Sequence, residues 1–433
     1  MKKLIIVLLI ITITLAVRFA YVQLVFQHSF GPLSVLFLSI LGCLSLLLSI
    51  TLAFYETRRR EAIAKMWLMI IPFFITYVIV DLVSSYFLIQ TLSPLSTADQ
   101  YRGHKLVPNT RFAIKTREYN YVQTVNNLGL RGRNIEIKKA LDHYRILMLG
   151  DSFTMGKGVA DDKTFSALLE QSLNAKNNTV DKKTIEVLNA GVDSYSPILS
   201  FFQLTKDLRP LKPDLVVLNL DMSDLLQDTA YRKNATYGAT GEIIGIDGRS
   251  RELLRQKIRH WIDRNLYITR LILFYLAKTF SRQTDITVEN VVERITPALL
   301  EHTLAEDTVD RTEQWQNIFD STLKIKTYCD GSGMKFLLTV YPWGHQVNDK
   351  EWVPGKFAGW LPESAVVSDK SIEIIQKFSV RNNIALLNLF PAFRSYNGTS
   401  RLYFRHDMHF TPAGHKLMAQ ELEQYIRATY FKK

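Results

Sequence analysis

The stretch RILMLGDSFT, Arg145–Thr154, is the most informative part of this 433-residue chain about its fold. It begins as a continuous apolar run, which is typical of a strand buried on both faces, and it ends abruptly in Gly-Asp-Ser. Apolar side chains return at helical spacing in Thr164–Leu173, so a helix is predicted to follow the strand. Ser152 then lies just past the carboxyl end of a buried strand, where open α/β sheets bind ligands. A lone Gly-Asp-Ser is more often a helix cap, but a serine there can be a nucleophile if a base lies within reach.

A second stretch, RHDMHFTPAGH at Arg405–His415, favours the nucleophile because it places an acid and a base just before a final amphipathic helix. A catalytic base needs a third group that fixes its tautomer and stabilises the imidazolium. His409 is the predicted base and Asp407, two residues earlier, is the predicted orienting acid. His406 is the alternative base, whereas His415 falls within the predicted helix and is expected to pack or cap.

Together, these two stretches resemble the first and last motifs of the SGNH (GDSL-type) hydrolase superfamily, and the resemblance covers roughly Arg145 to the C-terminus. It implies ester hydrolysis or acyl transfer by a triad of Ser152, His409 and Asp407. The sequence has Asp-x-His where the family more commonly has Asp-x-x-His. The shorter spacing is seen in branches that act on exported polysaccharides.

The resemblance also implies an oxyanion hole built from the backbone N–H groups of Ser152 and Gly191. A glycine suits a loop where the backbone must approach a ligand closely. The family's third donor is the Asn of a Gly-x-Asn-Asp block, but this chain has Asp221-Met222-Ser223-Asp224, so Ser223 offers only a shorter hydroxyl. Losing one such donor can cost about 100- to 1,000-fold in rate, unless the block marks a subfamily with a different third donor.

Strand and helix patterns alternate through residues 143–433, which predicts a parallel sheet covered by helices. Further buried strands are predicted at Ile185–Val192, Asp214–Leu220, Lys335–Tyr341 and Ile384–Leu389. Further helices are predicted at Pro197–Leu208, Arg311–Gly331 and Ser371–Phe378. The pattern and the resemblance together predict a three-layer, flavodoxin-like α/β domain.

Residues 225–310 form a predicted insertion in this domain. Asn234–Asp247 is Gly-rich and resembles a hairpin. Arg251–Phe280 predicts a long amphipathic helix with a basic face. Such a helix could lie on a lipid surface, but we expect a lid, because the neighbouring domain can bury its apolar stripe.

Candidate substrate contacts follow the strand predicted at Lys335–Tyr341. Trp343 and His345 lie past its carboxyl end, and a tryptophan with polar neighbours suits a sugar. Asp151, in the first motif, and Asp224, at the end of the Asp221–Asp224 block, are the other candidates. An ordinary packed loop explains Trp343 and His345 equally well.

Residues 1–92 are predicted to form a membrane anchor with spans at about 4–26, 31–55 and 66–90. Residues 30–55 carry no charge, and this segment is long enough to cross a bilayer. A cleaved signal peptide is the alternative for the first segment, but no small-x-small cleavage site follows it. Asp81, the single acid of the third span, is expected to reach headgroups or water near the outer end of its helix.

The basic residues at Arg58–Lys65 predict that this loop is cytoplasmic. Everything after the third span is then extracytoplasmic, which predicts an inner or plasma membrane protein. Residues 93–142 are predicted to be a connecting extension, with an Asn-x-Gly-x-Arg-Gly turn at residues 127–132. We expect the extension to be ordered and to pack on the catalytic domain.

The composition and motifs of the chain limit the kinds of ligand and partner that we expect. The formal net charge is +12, but no basic block is interleaved with aromatic residues and no nucleic-acid motif is present. We attribute the excess to topological signals and to a surface near an anionic membrane. No dinucleotide or phosphate loop is found and the histidines complete no familiar metal spacing, so no cofactor and no metal are expected. Cys43 and Cys329 are not expected to pair.

The sequence therefore predicts a membrane-anchored, extracytoplasmic serine esterase or O-acyltransferase acting on acyl, usually acetyl, esters of a cell-surface polysaccharide. Its expected partners are the bilayer, the glycan and, for transfer, a membrane protein that donates the acyl group. Hydrolysis and transfer share an acyl-enzyme, so both remain open. The alternative is a non-catalytic binding or assembly protein of the cell envelope that has kept the fold.

Overall fold

The computed structural model describes residues 59–88, 96–116, 118–175, 183–246, 268–269, 301–352 and 365–431. The chain divides into two compact units, one made of Met1–Pro94 and Ile258–Asp285 and the other of Leu95–Lys257 and Ile286–Lys433. The predicted domain boundaries at residues 92 and 142 stay predictions. The predicted spans 4–26 and 31–55 lie outside the described residues.

The first unit contains helix α1, Arg59–Leu88, which overlaps the predicted third span and has Pro72 inside it. In the part of the chain that the structure describes, no helix is both long and apolar enough to cross a membrane. Asp81 is buried, and its carboxylate accepts hydrogen bonds from the backbone N–H groups of Ile268 (2.7 Å) and Thr269 (3.3 Å). The expectation that Asp81 reaches headgroups or water is therefore wrong, because it has partners within the protein.

The second unit is built on a five-stranded parallel sheet. Its strands are β5 (His143–Leu149), β6 (Thr184–Asn189), β7 (Leu215–Leu220), β10 (Lys335–Val340) and β11 (Ala385–Asn388). The spatial order β6-β5-β7-β10-β11 is the flavodoxin-like order 2-1-3-4-5. All five strands coincide with the predicted apolar runs, so the predicted parallel-sheet fold is confirmed.

Two groups of helices cover this sheet. Helices α3 (Phe165–Leu173) and α10 (Pro412–Tyr430) pack together. Helices α4 (Pro197–Phe202), α5 (Asp224–Arg232) and α6 (Thr312–Gly331) form the other group. Right-handed crossovers place the two groups on opposite faces. The strand order reverses between β5 and β7, so the ligand-binding crevice is expected at their carboxyl ends.

Shorter elements complete the described part of the unit. The extension forms β1 (Ser96–Asp99), β2 (Gly103–Leu106), β3 (Thr110–Lys115) and β4 (Asn120–Val125), paired as two antiparallel ribbons. Helix α2 (Ser152–Met155) follows β5 directly. Helices α7 (Gly344–Val347) and α8 (Lys370–Arg381) lie in the connection between β10 and β11, and α9 (Phe390–Arg394) follows β11.

The insertion is described only in part. The predicted hairpin is present as β8 (Ala235–Tyr237) and β9 (Ile243–Ile246). The predicted lid helix, Arg251–Phe280, lies outside the described residues except for Ile268 and Thr269, which contact Asp81 of α1. The lid therefore stays a prediction.

The extension is fixed to the sheet domain by its turn after β4. The Asn126 side chain accepts hydrogen bonds from the backbone N–H groups of Leu128 (2.9 Å) and Leu130 (3.0 Å). Gly129 supplies the positive φ, +76°, that lets the turn close. The turn directs Arg131 inward, where its backbone N–H bonds to the Asn189 carbonyl at the end of β6 (3.1 Å).

Candidate active site

Ser152 begins the short helix α2, immediately after the buried strand β5. The preceding Asp151 accepts a hydrogen bond from the Phe153 backbone N–H (2.9 Å), which turns the chain from strand to helix. Gly156 ends the helix in the left-handed region, with φ +84°. The Ser152 side chain is consequently held at the carboxyl edge of the sheet and is only 8% exposed.

The structure brings Ser152, His409 and Asp407 into one hydrogen-bonded line. Ser152 Oγ lies 2.7 Å from His409 Nε2, and His409 Nδ1 contacts Asp407 Oδ1. Because the carboxylate can only accept at Nδ1, the neutral ring carries its proton there and leaves Nε2 to accept from the serine hydroxyl. The Asp407 carboxylate also accepts from the His409 backbone N–H at 2.9 Å. The Phe153 ring packs against the imidazole, with centroids 4.8 Å apart.

The charge of Asp407 is stabilised despite its position. Burial alone would raise its pKa, but the contacts with His409 and the nearby Lys157 ammonium hold the pKa of this carboxyl well below its usual range. Asp407 is therefore an anion throughout the neutral range, as a residue that orients a protonated imidazole must be.

Two of the predicted oxyanion donors point to internal acceptors. The Gly191 N–H donates to Asn189 Oδ1 at 3.1 Å, and the Ser223 hydroxyl donates to Asp221 Oδ1 at 2.6 Å. Gly191 nevertheless lies against α2, because a Cβ there would come within 2.1 Å of the Met155 nitrogen. This close approach requires glycine and places the Gly191 loop beside the nucleophile.

The four candidate substrate contacts lie below the surface. Trp343 is fully buried, and its indole N–H donates to Asp221 Oδ2 at 3.1 Å. His345 pairs with the Thr303 hydroxyl at 2.9 Å, and burial lowers the pKa of His345 to about 3. Asp151 and Asp224 are also buried. All four side chains are therefore buried in this structure.

Asp151, Asp221 and Asp224 form a buried acidic cluster under Ser152. The Asp221 carboxylate accepts from both the N–H and the hydroxyl of Ser223 and from the Asp224 N–H. Burial and the neighbouring Asp221 raise the pKa of Asp151 and of Asp224 well above the usual range. The cluster therefore retains protons at pH values where exposed carboxyls have lost them.

We expect Asp151→Asn to stabilise the protein increasingly as pH rises from 5 to 8. A carboxyl whose pKa is raised on folding contributes its stability below the unfolded pKa and loses it as pH rises toward the folded pKa. Asparagine keeps the cap acceptor and removes this loss, about 1.4 kcal/mol for each unit of upward shift. Urea unfolding of both proteins at pH 5 and pH 8 measures it, and an equal difference at both pH values would contradict the raised pKa.

The other histidines near the motif have different environments. His415 is completely buried, its Nδ1 accepts from the Phe165 N–H at 3.2 Å, and burial together with Arg131 lowers its pKa to about 3. His406 is exposed, and its backbone N–H, not its ring, is bonded to Glu118. Neither the His415 ring nor the His406 ring takes part in the hydrogen bonds that link Asp407, His409 and Ser152.

Sequence inspection missed four residues around the site: Glu118, Tyr119, Arg131 and Lys157. Glu118 and Tyr119 contact the acid loop, and Arg131 donates to the carbonyls of Met155, at the end of α2, and Gly156. Only Arg131 had a local signal, the Asn-x-Gly-x-Arg-Gly turn. The described residues contain no group of three or more His, Cys, Asp or Glu side chains that could hold a metal ion.

No protein-family model and no curated protein sequence matches the chain. Similar solved structures include a lipase/acylhydrolase from Enterococcus faecalis, 14% identical, covering 67% of this chain and 99% of that one at TM-score 0.34. A catalytic mutant of an acetylxylan esterase from Geobacillus stearothermophilus is 11% identical over 65% and 94%, at TM-score 0.33. A GDSL-like lipase from Bacteroides thetaiotaomicron is 12% identical over 68% and 92%, at TM-score 0.32. These similarities are to esterases and lipases, and at such scores the function has to be argued from the chain's own site.

Proposed function

We propose that the chain is a serine esterase or O-acyltransferase of SGNH type. The observation that carries the proposal is the line of contacts from Ser152 Oγ through His409 to Asp407, with 2.7 Å between Oγ and Nε2. Ser152 lies near the start of the sheet domain's sequence, whereas Asp407 and His409 lie near its end. The contact of nucleophile with base and of base with orienting acid is the arrangement that acyl transfer requires.

In the proposed reaction, Ser152 Oγ attacks the acyl carbonyl while His409 Nε2 takes its proton. Asp407 stabilises the imidazolium, which then protonates the leaving alcohol oxygen as its bond to the acyl carbon breaks, so that the alcohol departs and the acyl group stays on Ser152 as an ester. Water or a sugar hydroxyl then attacks the acyl carbon while His409 takes its proton. His409 returns that proton to Ser152 Oγ as the bond between the acyl carbon and Oγ breaks, which releases the acid or the new ester and restores the serine. Transfer instead of hydrolysis requires that the closed site exclude water.

The backbone N–H groups of Ser152 and Gly191 are the proposed oxyanion donors. The Gly191 N–H would have to share or leave Asn189 Oδ1 as charge develops, an adjustment of the kind that catalytic hydrogen bonds make when substrate binds. Ser223 would help only if its hydroxyl turned away from Asp221.

We expect Ser223→Ala to lower kcat by no more than about threefold, because its hydroxyl already donates to Asp221 Oδ1 and is directed at that carboxylate. The measurement is steady-state hydrolysis of p-nitrophenyl acetate, with the thermal unfolding midpoint followed in parallel. A loss of about 100-fold in a folded variant would instead identify Ser223 as the third oxyanion donor.

The proposed function is tested with a fluorophosphonate probe on the full-length protein. Covalent labelling that maps to Ser152 and disappears in Ser152→Ala supports the enzyme. Absence of labelling in folded protein favours the second candidate, a non-catalytic binding or assembly protein. The observation that favours this candidate is the altered Asp221–Asp224 block, whose Ser223 hydroxyl is bonded internally.

We further propose that the enzyme is membrane-anchored and extracytoplasmic. The charge-free run at residues 30–55 supports the anchor, as do the exposed apolar side chains of α1, among them Leu68, Phe74 and Ile79. Retention in the membrane pellet after alkaline carbonate washing would support it. Release into the supernatant would refute it.

The proposed substrate is an acyl ester, usually acetyl, of a cell-surface polysaccharide, and a membrane acyl-donor protein is the proposed partner for transfer. The support is the proposed location together with ester chemistry. Deleting the gene and measuring acetyl content of surface glycans tests the assignment. Lower content indicates a transferase and higher content an esterase, whereas unchanged glycans would leave only the generic ester chemistry.

A further inference from the structure

The tip of the β3–β4 hairpin reaches the loop that carries the proposed catalytic acid. The Tyr119 hydroxyl donates to Asp407 Oδ2 at 2.9 Å. The Glu118 carboxylate accepts the backbone N–H groups of His406 (3.1 Å) and Asp407 (2.8 Å). The extension therefore holds both the backbone and the side chain of the acid loop.

The tip is itself a well-braced turn. The Thr116 N–H donates to the Tyr119 carbonyl at 2.8 Å, and Thr116 Oγ1 accepts from the Tyr119 N–H at 3.2 Å. The Tyr119 ring packs against Phe404 and Tyr121, with centroid distances of 5.0 and 5.7 Å. These two ring contacts help to fix the position of the Tyr119 hydroxyl relative to Asp407.

The two oxygens of Asp407 have separate partners. Oδ1 accepts from the His409 backbone N–H and ring N–H, whereas Oδ2 accepts from Tyr119. The terminal torsion of an aspartate is broad, so a carboxylate held at one oxygen can rotate. Contacts at both oxygens fix its plane, and hydrogen bonds to an ionised acceptor are stronger than neutral ones.

Resting on the proposed triad, we infer that Tyr119 is a positioning residue. Its hydroxyl holds the second oxygen of Asp407 so that the first stays directed at His409, and His409 in turn stays directed at Ser152. Burial, reinforced by Asp407, raises the pKa of Tyr119, so the phenol remains a proton donor across the working pH range. Tyr119 touches neither the nucleophile nor the base and acts only through Asp407.

The test is Tyr119→Phe in the full-length protein, which removes one oxygen and keeps the ring contacts. We expect kcat for p-nitrophenyl acetate to fall about 10- to 100-fold, while KM and the thermal midpoint stay close to those of the wild type. Tyr121→Phe is the matched control. It removes a phenol hydroxyl on the same hairpin, and the structure records no contact of that hydroxyl with Asp407, so its kcat should stay within about twofold.

A double-mutant cycle separates positioning from a general structural role. In an Asp407→Asn background, Tyr119→Phe is expected to cost no more than about a further twofold, because its effect passes through the carboxylate. A full multiplicative loss in that background would overturn the inference. So would an unchanged kcat in the single variant.

A second readout distinguishes this inference from the proposed function. The His409 Nδ1–H proton bonded to Asp407 should give a far-downfield NMR resonance that vanishes in His409→Gln. Tyr119→Phe is expected to move it upfield and broaden it, and an unmoved resonance would overturn the inference. If the wild-type protein neither hydrolyses esters nor labels at Ser152, the proposed function fails, and the resonance still decides the role of Tyr119.

Discussion

Replacing Ser152 by alanine is expected to lower kcat for a small acetyl ester by on the order of 10⁴- to 10⁶-fold while leaving the domain folded. The serine oxygen is the proposed nucleophile and no acyl-enzyme can form without it. His409→Ala should cause a loss of similar size, and the double variant should be little worse, because the residues of a triad act as one unit. Steady-state hydrolysis and near-ultraviolet circular dichroism give the two readouts.

Two control variants sharpen this test. Ser395→Ala removes an exposed serine and should leave kcat unchanged. His406→Ala removes the alternative base, whose ring is exposed and whose recorded contact with Glu118 is made by the backbone N–H, so activity should also persist. Full activity in Ser152→Ala or in His409→Ala would refute the proposed triad. Loss of activity in His406→Ala would transfer the role of base to that residue.

Arg131→Met is expected to destabilise the sheet domain by about 3–5 kcal/mol, the largest stability effect that we predict. The guanidinium is almost fully buried and donates to the carbonyls of Met155 (2.7 Å), Gly156 (2.5 Å) and Val159. It also forms an ion pair with Asp161 at 3.0 Å. Methionine fills similar space but leaves these acceptors without a donor in a buried site, which costs their full desolvation. Urea unfolding of the full-length protein measures the change.

Arg133→Met is the matched control for that experiment. Arg133 lies two residues further on, is 55% exposed and pairs with Glu170 at 3.2 Å. Surface ion pairs of this kind contribute about 0–1 kcal/mol. Comparable losses in the two variants would show that the burial of Arg131 is not what makes it important.

The connecting extension contacts each of the three loops that meet at the site. Arg131 donates to the Gly156 and Val159 carbonyls in the loop after α2, and Tyr119 donates to Asp407 in the acid loop. His104 Nε2 donates to the Asp193 carbonyl at 2.7 Å, in the loop that begins with Gly191. The extension thus contributes to the geometry of the site as well as connecting the chain.

In the Asp221–Asp224 block after β7, the contacts of Ser223 depend on the residue at position 221. Asp221 stands where the resembled family has glycine, and its carboxylate captures both the N–H and the hydroxyl of Ser223. It also accepts a hydrogen bond from the indole N–H of Trp343, which lies buried in the loop after β10. A carboxylate at this position therefore accounts for the internal contacts of Ser223 and provides an acceptor for the buried indole of Trp343. The burial of Trp343 agrees with the packed loop, which the sequence left as an equal alternative to a substrate contact.

The parallel sheet and the three residues of the proposed triad could be predicted from sequence patterns. Continuous apolar runs predicted all five parallel strands, because burial on both faces leaves a local signature, and the two terminal motifs singled out Ser152, Asp407 and His409. Tertiary structure alone decided what surrounds them. Tyr119 contacts Asp407, which lies 288 residues later in the chain, and Arg131 donates to the Met155 carbonyl. Hydrophobic periodicity does not predict either of these hydrogen bonds. Hydrogen-bond partners depend on which polar groups become buried together, and this is determined only when segments distant in the sequence pack against each other.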